Sequence, residues 1–145
     1  MIGPIGTQIK DNLPLNIDHV SPIIDKAALY EKLLEGRIYL FPSVREGIAF
    51  SVVEAMMLGL PVVASKICSN RFLLRQNKQC LIGSNNIEGY QKILDLLLGD
   101  ENLSTEIAKS NQRFIKFTLS KEKYFRSLYQ FYSSMNQPKI KHVRQ

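Results

Sequence analysis

The chain has 145 residues, 45% apolar and 22% charged, with a net charge of +6 at pH 7. That length suits one domain, able to bury roughly 70% of its unfolded surface, and the composition excludes fibrous and low-complexity classes. No apolar run approaches the roughly 20 residues of a spanning helix, and Met1-Ile2-Gly3-Pro4 lacks the basic start and long apolar core of a signal peptide.

In chain order, Met1 to Ile5 reads as a short strand and Ile17 to Val20 as a second. Asp25 is an N-cap candidate for a helix over Lys26 to Glu35, with Ala27, Tyr30, Leu33 and Leu34 on its apolar face and Gly36 as its C′ residue. Arg37 to Phe41 is rich in strand formers, and Pro42 closes it. Phe50 to Leu58 reads as a helix stopped by Gly59. The apolar run Pro61 to Ala64 fits a strand covered on both faces. A short helix over Asn70 to Arg75 and a last strand over Gln79 to Ile82 follow. Three helices complete the chain, near Ile87 to Leu98, Leu103 to Phe117 and Ser120 to Ser133, with Asp100 to Asn102 between the first two. On the last helix Phe125, Leu128, Tyr129 and Tyr132 recur at helical spacing, the pattern of a core stripe rather than of base-stacking aromatics. Strands alternate with helices through residue 98. The expected fold is therefore α/β, a Rossmann-like doubly wound parallel sheet flanked by helices, with extra C-terminal helices. The domain is expected over 1–133, with a basic, flexible tail over 134–145.

Cys68 and Cys80 are the only cysteines; two free thiols in a reducing compartment are favoured over a disulfide. His19 and His142 are far apart, so no metal-ligand cluster is expected. Lys139, Lys141 and Arg144, with His142, make the tail basic. It reads as a solvated segment or as an attractor of phosphate on nucleotides, nucleic acid or an anionic membrane.

The densest information lies in Pro42-Ser43-Val44-Arg45-Glu46-Gly47-Ile48-Ala49-Phe50-Ser51-Val52-Val53-Glu54-Ala55-Met56 and in Gly59-Leu60-Pro61-Val62-Val63-Ala64. In a doubly wound sheet ligands bind beyond the carboxyl ends of the strands, where the loop after Phe41 lies. That loop feeds a helix N-terminus, whose free N–H groups and dipole favour an anion; Ser51 adds a hydroxyl. Gly47 permits close backbone approach. A carboxylate has two acceptor oxygens, so Glu54 can take the hydroxyls of a ribose and Glu46 those of a sugar. The plainer alternative is a capping acid at Glu46 and an exposed helix glutamate at Glu54, although a lone acid within Val52 to Leu58 needs a partner if buried.

This motif resembles the signature of GT-B glycosyltransferases of the large retaining group 1 (family 4), in which Pro-Ser and Glu-Gly precede Glu-Ala-Met and Gly-x-Pro-Val-Val-Ala. Leu29-Tyr30 and Phe114 to Tyr132 are similar to flanking parts of the family, so the resemblance spans roughly residues 1–133. It implies the C-terminal, donor-binding domain of such an enzyme. Glu54 would hold the ribose of a nucleotide-diphosphate sugar, and Glu46, in the catalytic position, the transferred sugar. Gly47, Ile48 and Ala49 would approach the sugar through their backbone, and Phe50 and Ser51 would face the diphosphate. Transfer would proceed with retention and without a metal or other cofactor. The sequence departs from the family at Ile48 and Ala49, where Phe and Gly are common, and over Lys66-Ile67-Cys68-Ser69, where a Gly-Gly pair is common. The strand and loop that carry the family's diphosphate-binding Arg and Lys have no match; Arg45 and Lys66 are the candidates to replace them, with Lys10 and Arg71 behind.

The leading expectation is a cytoplasmic hexosyltransferase-type domain that works with an N-terminal GT-B partner chain, as part of a larger protein or as a homo-oligomer. Its acceptor would be a glycan, a lipid-linked compound or a protein. The alternative is a non-catalytic nucleotide-sugar-binding or interaction protein derived from that domain. Peripheral membrane contact stays open, and nucleic acid is disfavoured.

Overall fold

A computed structural model describes residues 16–83 and 86–135 of the chain. The strand expected over Met1 to Ile5, together with Lys10, Lys139, Lys141, His142 and Arg144, lies outside them.

Asp25 caps helix α1 (Lys26–Leu34) from an extended backbone, its carboxylate accepting from the Ala28 N–H at 2.8 Å. This satisfies one of the donors that a helix start leaves free. Leu29, Tyr30 and Leu33 are half-buried, whereas Ala27 and Leu34, expected on the same face, are exposed. No residue of α1 is fully buried, so the helix lies along the domain rather than in it.

Strand β1 (Tyr39–Phe41) leads to helix α2 (Phe50–Met57), strand β2 (Val62–Ser65) and helix α3 (Cys68–Leu73). A 3-10 turn (Lys78–Cys80) and strand β3 (Leu81–Ile82) precede helices α4 (Ile87–Gly99), α5 (Glu101–Thr118) and α6 (Lys121–Met135). The strands form one parallel sheet in the order β1-β2-β3, with Tyr39 opposite Val62 and Ala64 opposite both Phe41 and Leu81. The α/β class read from the sequence is the class observed.

Several boundaries move for identifiable reasons. From Ile17 to Val20 only Val20 makes a bridge, and Pro22 lies just beyond. β1 starts at Tyr39, not Arg37, because its N–H already reaches the Pro61 carbonyl (2.9 Å) and Pro61 has no N–H with which to extend the ladder. α3 starts at Cys68 because Asn70 turns its side chain back onto Ser65 and sits within the helix. Gln79 and Cys80 form the tight turn, leaving two residues for β3. Asp100 alone separates α4 from α5. It is the C-cap of one and the N-cap of the other, with its carboxylate on the Leu103 N–H at 2.9 Å.

Val62, Val63, Ala64 and Ser65 are all fully buried, so both faces of β2 are covered. Around them pack Val52, Ala55 and Met56 of α2, Ile93 and Leu97 of α4, and Ile107, Phe114 and Ile115 of α5. A buried amide pair ties this core together: Asn77 Nδ2 donates to Asn111 Oδ1 at 2.9 Å, and Asn111 Nδ2 to the Leu60 carbonyl at 3.4 Å. The stripe expected to face the core from α6 does not reach it. Phe125, Tyr129 and Tyr132 are exposed, and Leu128 is half-buried. The side chains of α5 already fill the core, and helical spacing defines a face without deciding what covers it.

Gly59 turns the chain from α2 into β2 at φ +82°, and a Cβ there would stand 2.8 Å from the Gln112 amide nitrogen. Gly59→Ala is therefore expected to destabilise the fold by about 1–2 kcal/mol from the left-handed backbone alone. A urea titration checks this through a lower midpoint at unchanged m-value; an unchanged midpoint contradicts it.

Candidate functional site

Because the strands are parallel, the segments after Phe41, Ser65 and Ile82 leave one edge of the sheet. Residues 42–49 bridge that edge to α2. Hydrogen bonds from the interior hold this loop. Asn70, fully buried, donates from Nδ2 to the Ser65 carbonyl at 2.8 Å. The Ser65 hydroxyl donates to the Ser43 carbonyl, and Ser43 Oγ lies 3.2 Å from Glu46 Oε1 and 3.3 Å from the Arg45 carbonyl. A continuous path thus runs from the core to the exposed Glu46 carboxylate. Glu46 takes its contact from the loop, not from a helix end, so it is not a capping acid.

Behind the edge, Asn70 Oδ1, Ser69 Oγ and the Tyr90 hydroxyl are buried with no hydrogen-bond partner among the described residues. Burial raises the Tyr90 pKa. The neighbouring Ser65 hydroxyl commits its proton to the Ser43 carbonyl.

The start of α2 has no side-chain cap. Ala49 occupies the N-cap position, and its carbonyl receives both the Val52 and Val53 N–H groups at 3.0 and 3.2 Å. Among the described residues the Phe50 and Ser51 N–H groups have no acceptor, which leaves two donors and the positive end of the helix dipole at the sheet edge. Phe50 is exposed and Ser51 half-buried, whereas the Ala49 side chain is buried and only its backbone is available. Gly47 has no positive φ, and a Cβ there would meet nothing within 4 Å, so it leaves open space rather than relieving strain. Arg45, Ile48 and Lys66 are exposed; the Lys66 N–H is fixed to the Ile82 carbonyl at 2.7 Å.

Glu54 lies a little over one turn inside α2, its side chain 20% exposed. Its Oε1 accepts from Lys26 Nζ at 2.5 Å and from the Tyr30 hydroxyl at 3.4 Å, joining α2 to α1. The Glu54 hydrogen bond holds the Lys26 ammonium above its ordinary pKa. Glu54 is thus neither an exposed helix glutamate nor an unpaired buried acid. Both contacts use Oε1, which leaves Oε2 as an acceptor. The structure brings Arg45, Glu46, Gly47, Ile48, Lys66 and the start of α2 to one edge, and sets Glu54 against α1.

Ser65, Asn70 and Lys26 were not read as site residues from the sequence. The signal for Lys26 was the need of a lone acid in an apolar run for a partner. Ser65 was the one polar residue ending that apolar strand, and nothing local pointed to Asn70. Cys68 is exposed and Cys80 buried, both as free thiols, and burial pushes the Cys80 thiol up to about 11. Among the described residues no group of His, Cys, Asp and Glu side chains could hold a metal ion, and no helix is long and apolar enough to cross a membrane.

In open α/β sheets ligands bind in the crevice beyond the carboxyl ends of the strands, and residues 42–49 and the start of α2 lie there. Residues 13–114 match the family of glycosyl transferases group 1, and the chain belongs to that family. The match contains the whole loop, α2 and the Lys26–Glu54 pair. A protein of Haemophilus influenzae described as an "Uncharacterized glycosyltransferase" is 36% identical over 77 residues, which cover 52% of this chain and 22% of that protein.

Three outcomes are expected. Ser65→Ala cuts the path between Asn70 and the loop, costs about 1–2 kcal/mol and speeds proteolysis within residues 42–48; unchanged cleavage of the folded variant refutes the anchoring role. An aromatic disulfide reagent at about pH 8 labels Cys68 rapidly and Cys80 only on unfolding, and equal labelling of both thiols in the folded protein is the contrary result. The raised Cys80 pKa implies that its contribution to stability is whole below its unfolded value of 9.0 and is lost as pH rises through about 11.

Proposed function

We propose that the chain is the donor-binding domain of a glycosyltransferase that moves a sugar from a nucleotide-diphosphate sugar to an acceptor with retention. The observation that carries this reading is an uncapped helix start at the carboxyl edge of the sheet, with Glu46 in the loop before it and Glu54 a little over one turn inside the helix. The diphosphate lies against the Phe50 and Ser51 N–H groups and the Ser51 hydroxyl, where the helix dipole favours negative charge. Oε2 of Glu54 accepts a ribose hydroxyl, and the Lys26 and Tyr30 contacts on Oε1 orient that carboxylate. Glu46, held by Ser43, accepts hydroxyls of the transferred hexose, while Gly47, Ile48 and Ala49 pass close to it through their backbone. As the glycosidic bond breaks, charge grows on the departing diphosphate. Preoriented N–H donors, with Arg45 and Lys66 nearby, stabilise that charge without a metal. The acceptor, whether glycan, lipid-linked compound or protein, meets the sugar on an N-terminal acceptor domain or partner chain.

A second reading, a non-catalytic nucleotide-sugar-binding protein, draws on one observation. Lys66-Ile67-Cys68-Ser69 lead into α3 without the Gly pair that the family often has there.

Calorimetric titration with UDP-glucose, GDP-mannose and the bare nucleotides tests both readings. Glu54→Gln is expected to weaken binding of sugar and bare nucleotide alike by about 10- to 100-fold, the worth of one charge-assisted hydrogen bond. Lys26→Met removes the ion pair, keeps the carboxylate and leaves affinity within a few-fold. Glu46→Gln lowers affinity for the nucleotide sugar but not for the nucleotide. Binding indifferent to Glu54→Gln, or absent at millimolar ligand, overturns the donor site. Intact binding without sugar transfer, even with an acceptor domain supplied, favours the second reading.

A further inference from the structure

Charge is divided unevenly along the chain. Residues 1–108 contain ten Lys and Arg against twelve Asp and Glu, a net charge of −2, whereas residues 109–145 contain nine against one, a net of +8. The fold concentrates part of this charge on one surface. Lys109, Arg113 and Lys116 project from successive turns of α5 over about 10 Å of helix and, with Met57 and Gln112, line an open groove of about 670 Å³. A second groove of about 440 Å³ follows at the α5–α6 turn, lined in part by Leu119, Lys121, Lys123 and Tyr124. Lys109, Arg113, Lys116 and Lys123 form no ion pair among the described residues. Apolar side chains stand between these cations in contact with solvent: Met57 is 59% exposed, Phe117 68% and Tyr124 63%.

We propose that this face of α5 and the α5–α6 turn docks the protein on an anionic lipid bilayer. Unpaired like charges on one helix face repel one another, so their arrangement is stable beside a surface of opposite charge. The mixture of mobile Lys ammonium groups with Met, Phe and Tyr matches the headgroup boundary, where cations meet lipid phosphates and apolar rings enter the acyl margin. Nucleic acid fits less well. Three of these four unpaired cations are lysines, not the guanidinium forks that read phosphate geometry, and aliphatic Met57 and Leu119 offer no base a stacking plane. Met57 ends α2, about 10 Å along the helix from the Phe50 and Ser51 N–H groups and one turn beyond Glu54. The inference rests on the charge and exposure of this face and stands independently of the proposed donor.

The test is co-sedimentation of the chain with vesicles of phosphatidylcholine alone or of equal parts phosphatidylcholine and phosphatidylglycerol. Salt is varied from low to about 1 M, where the Debye length falls to about 3 Å. Pelleting is expected with the anionic vesicles at low salt and not with the neutral ones. The combined change Lys109→Glu, Arg113→Glu and Lys116→Glu is expected to weaken partitioning by about 100-fold or more. The side chains are exposed, so an unchanged circular dichroism spectrum verifies folding. The milder pair Lys109→Gln and Lys116→Gln gives a smaller loss in the same direction, and Phe117→Ser weakens binding that salt has already reduced. Absent binding to anionic vesicles, equal binding to neutral ones, or partitioning unaffected by either set of charge changes overturns the proposal. So does single-stranded RNA that displaces the chain from vesicles at a lower phosphate concentration than the lipid supplies.

Discussion

The complete burial of β2 is the constraint on which the other parts depend. A strand of four residues with no exposed side chain must be covered on both faces, and α2, α4 and α5 supply that cover. At about 25 cal/mol per Å² of apolar surface, these side chains dominate the favourable side of folding. The connections between strands cross over through helices, so β1 and β3 pair with β2 in parallel and send their following loops to the same edge. Residues 42–50 lie at that edge because strand direction leaves them no other place.

Two polar connections turn this edge into a site. One runs from Asn70 through Ser65 and Ser43 to Glu46 and joins a mobile kind of segment, a surface loop, to the most immobile part of the protein. The other joins Glu54 to Lys26 and Tyr30 across two helices. Both place a carboxylate whose remaining oxygen still accepts hydrogen bonds. Between them the start of α2 lacks a side-chain cap, a feature that weakens a helix by about 1 kcal/mol and persists where its free donors have a use. The stability given up at that helix start and the anion affinity proposed for it have one physical origin.

The opposite end of α2 belongs to another surface. There Gln112 bonds the Met57 carbonyl, and the outward face of α5 continues as a row of cations. The molecule is therefore polarised along α2, with Glu46 and free N–H groups at one end and, at the other, exposed apolar side chains beside cations that form no ion pair among the described residues. A domain oriented on a charged surface by the second end presents the first to solvent.

Much of this was legible in the sequence. The apolar run before Ser65, the Gly59 stop, the Asp25 cap and the spacing of Glu46 and Glu54 were each local signals, and each fell where it was expected, within a few residues. Strand ends were less legible, because they depend on which partner can donate: Pro61 shortens β1, and no property of Arg37 or Ile38 reveals it. The partners of Glu54 were hidden because Lys26 lies on a different helix. The aromatic spacing of α6 correctly defined a helix face, but whether that face is covered depends on volume already filled by α5. By itself, the sequence determined the order of the elements, the family motif and the two acids, since these follow from local periodicity, turn chemistry and residue identity. Only the tertiary structure decided which carbonyl receives Ser65, which ammonium meets Glu54 and which apolar face stays in solvent, because each is a contact between segments that chain order does not make neighbours.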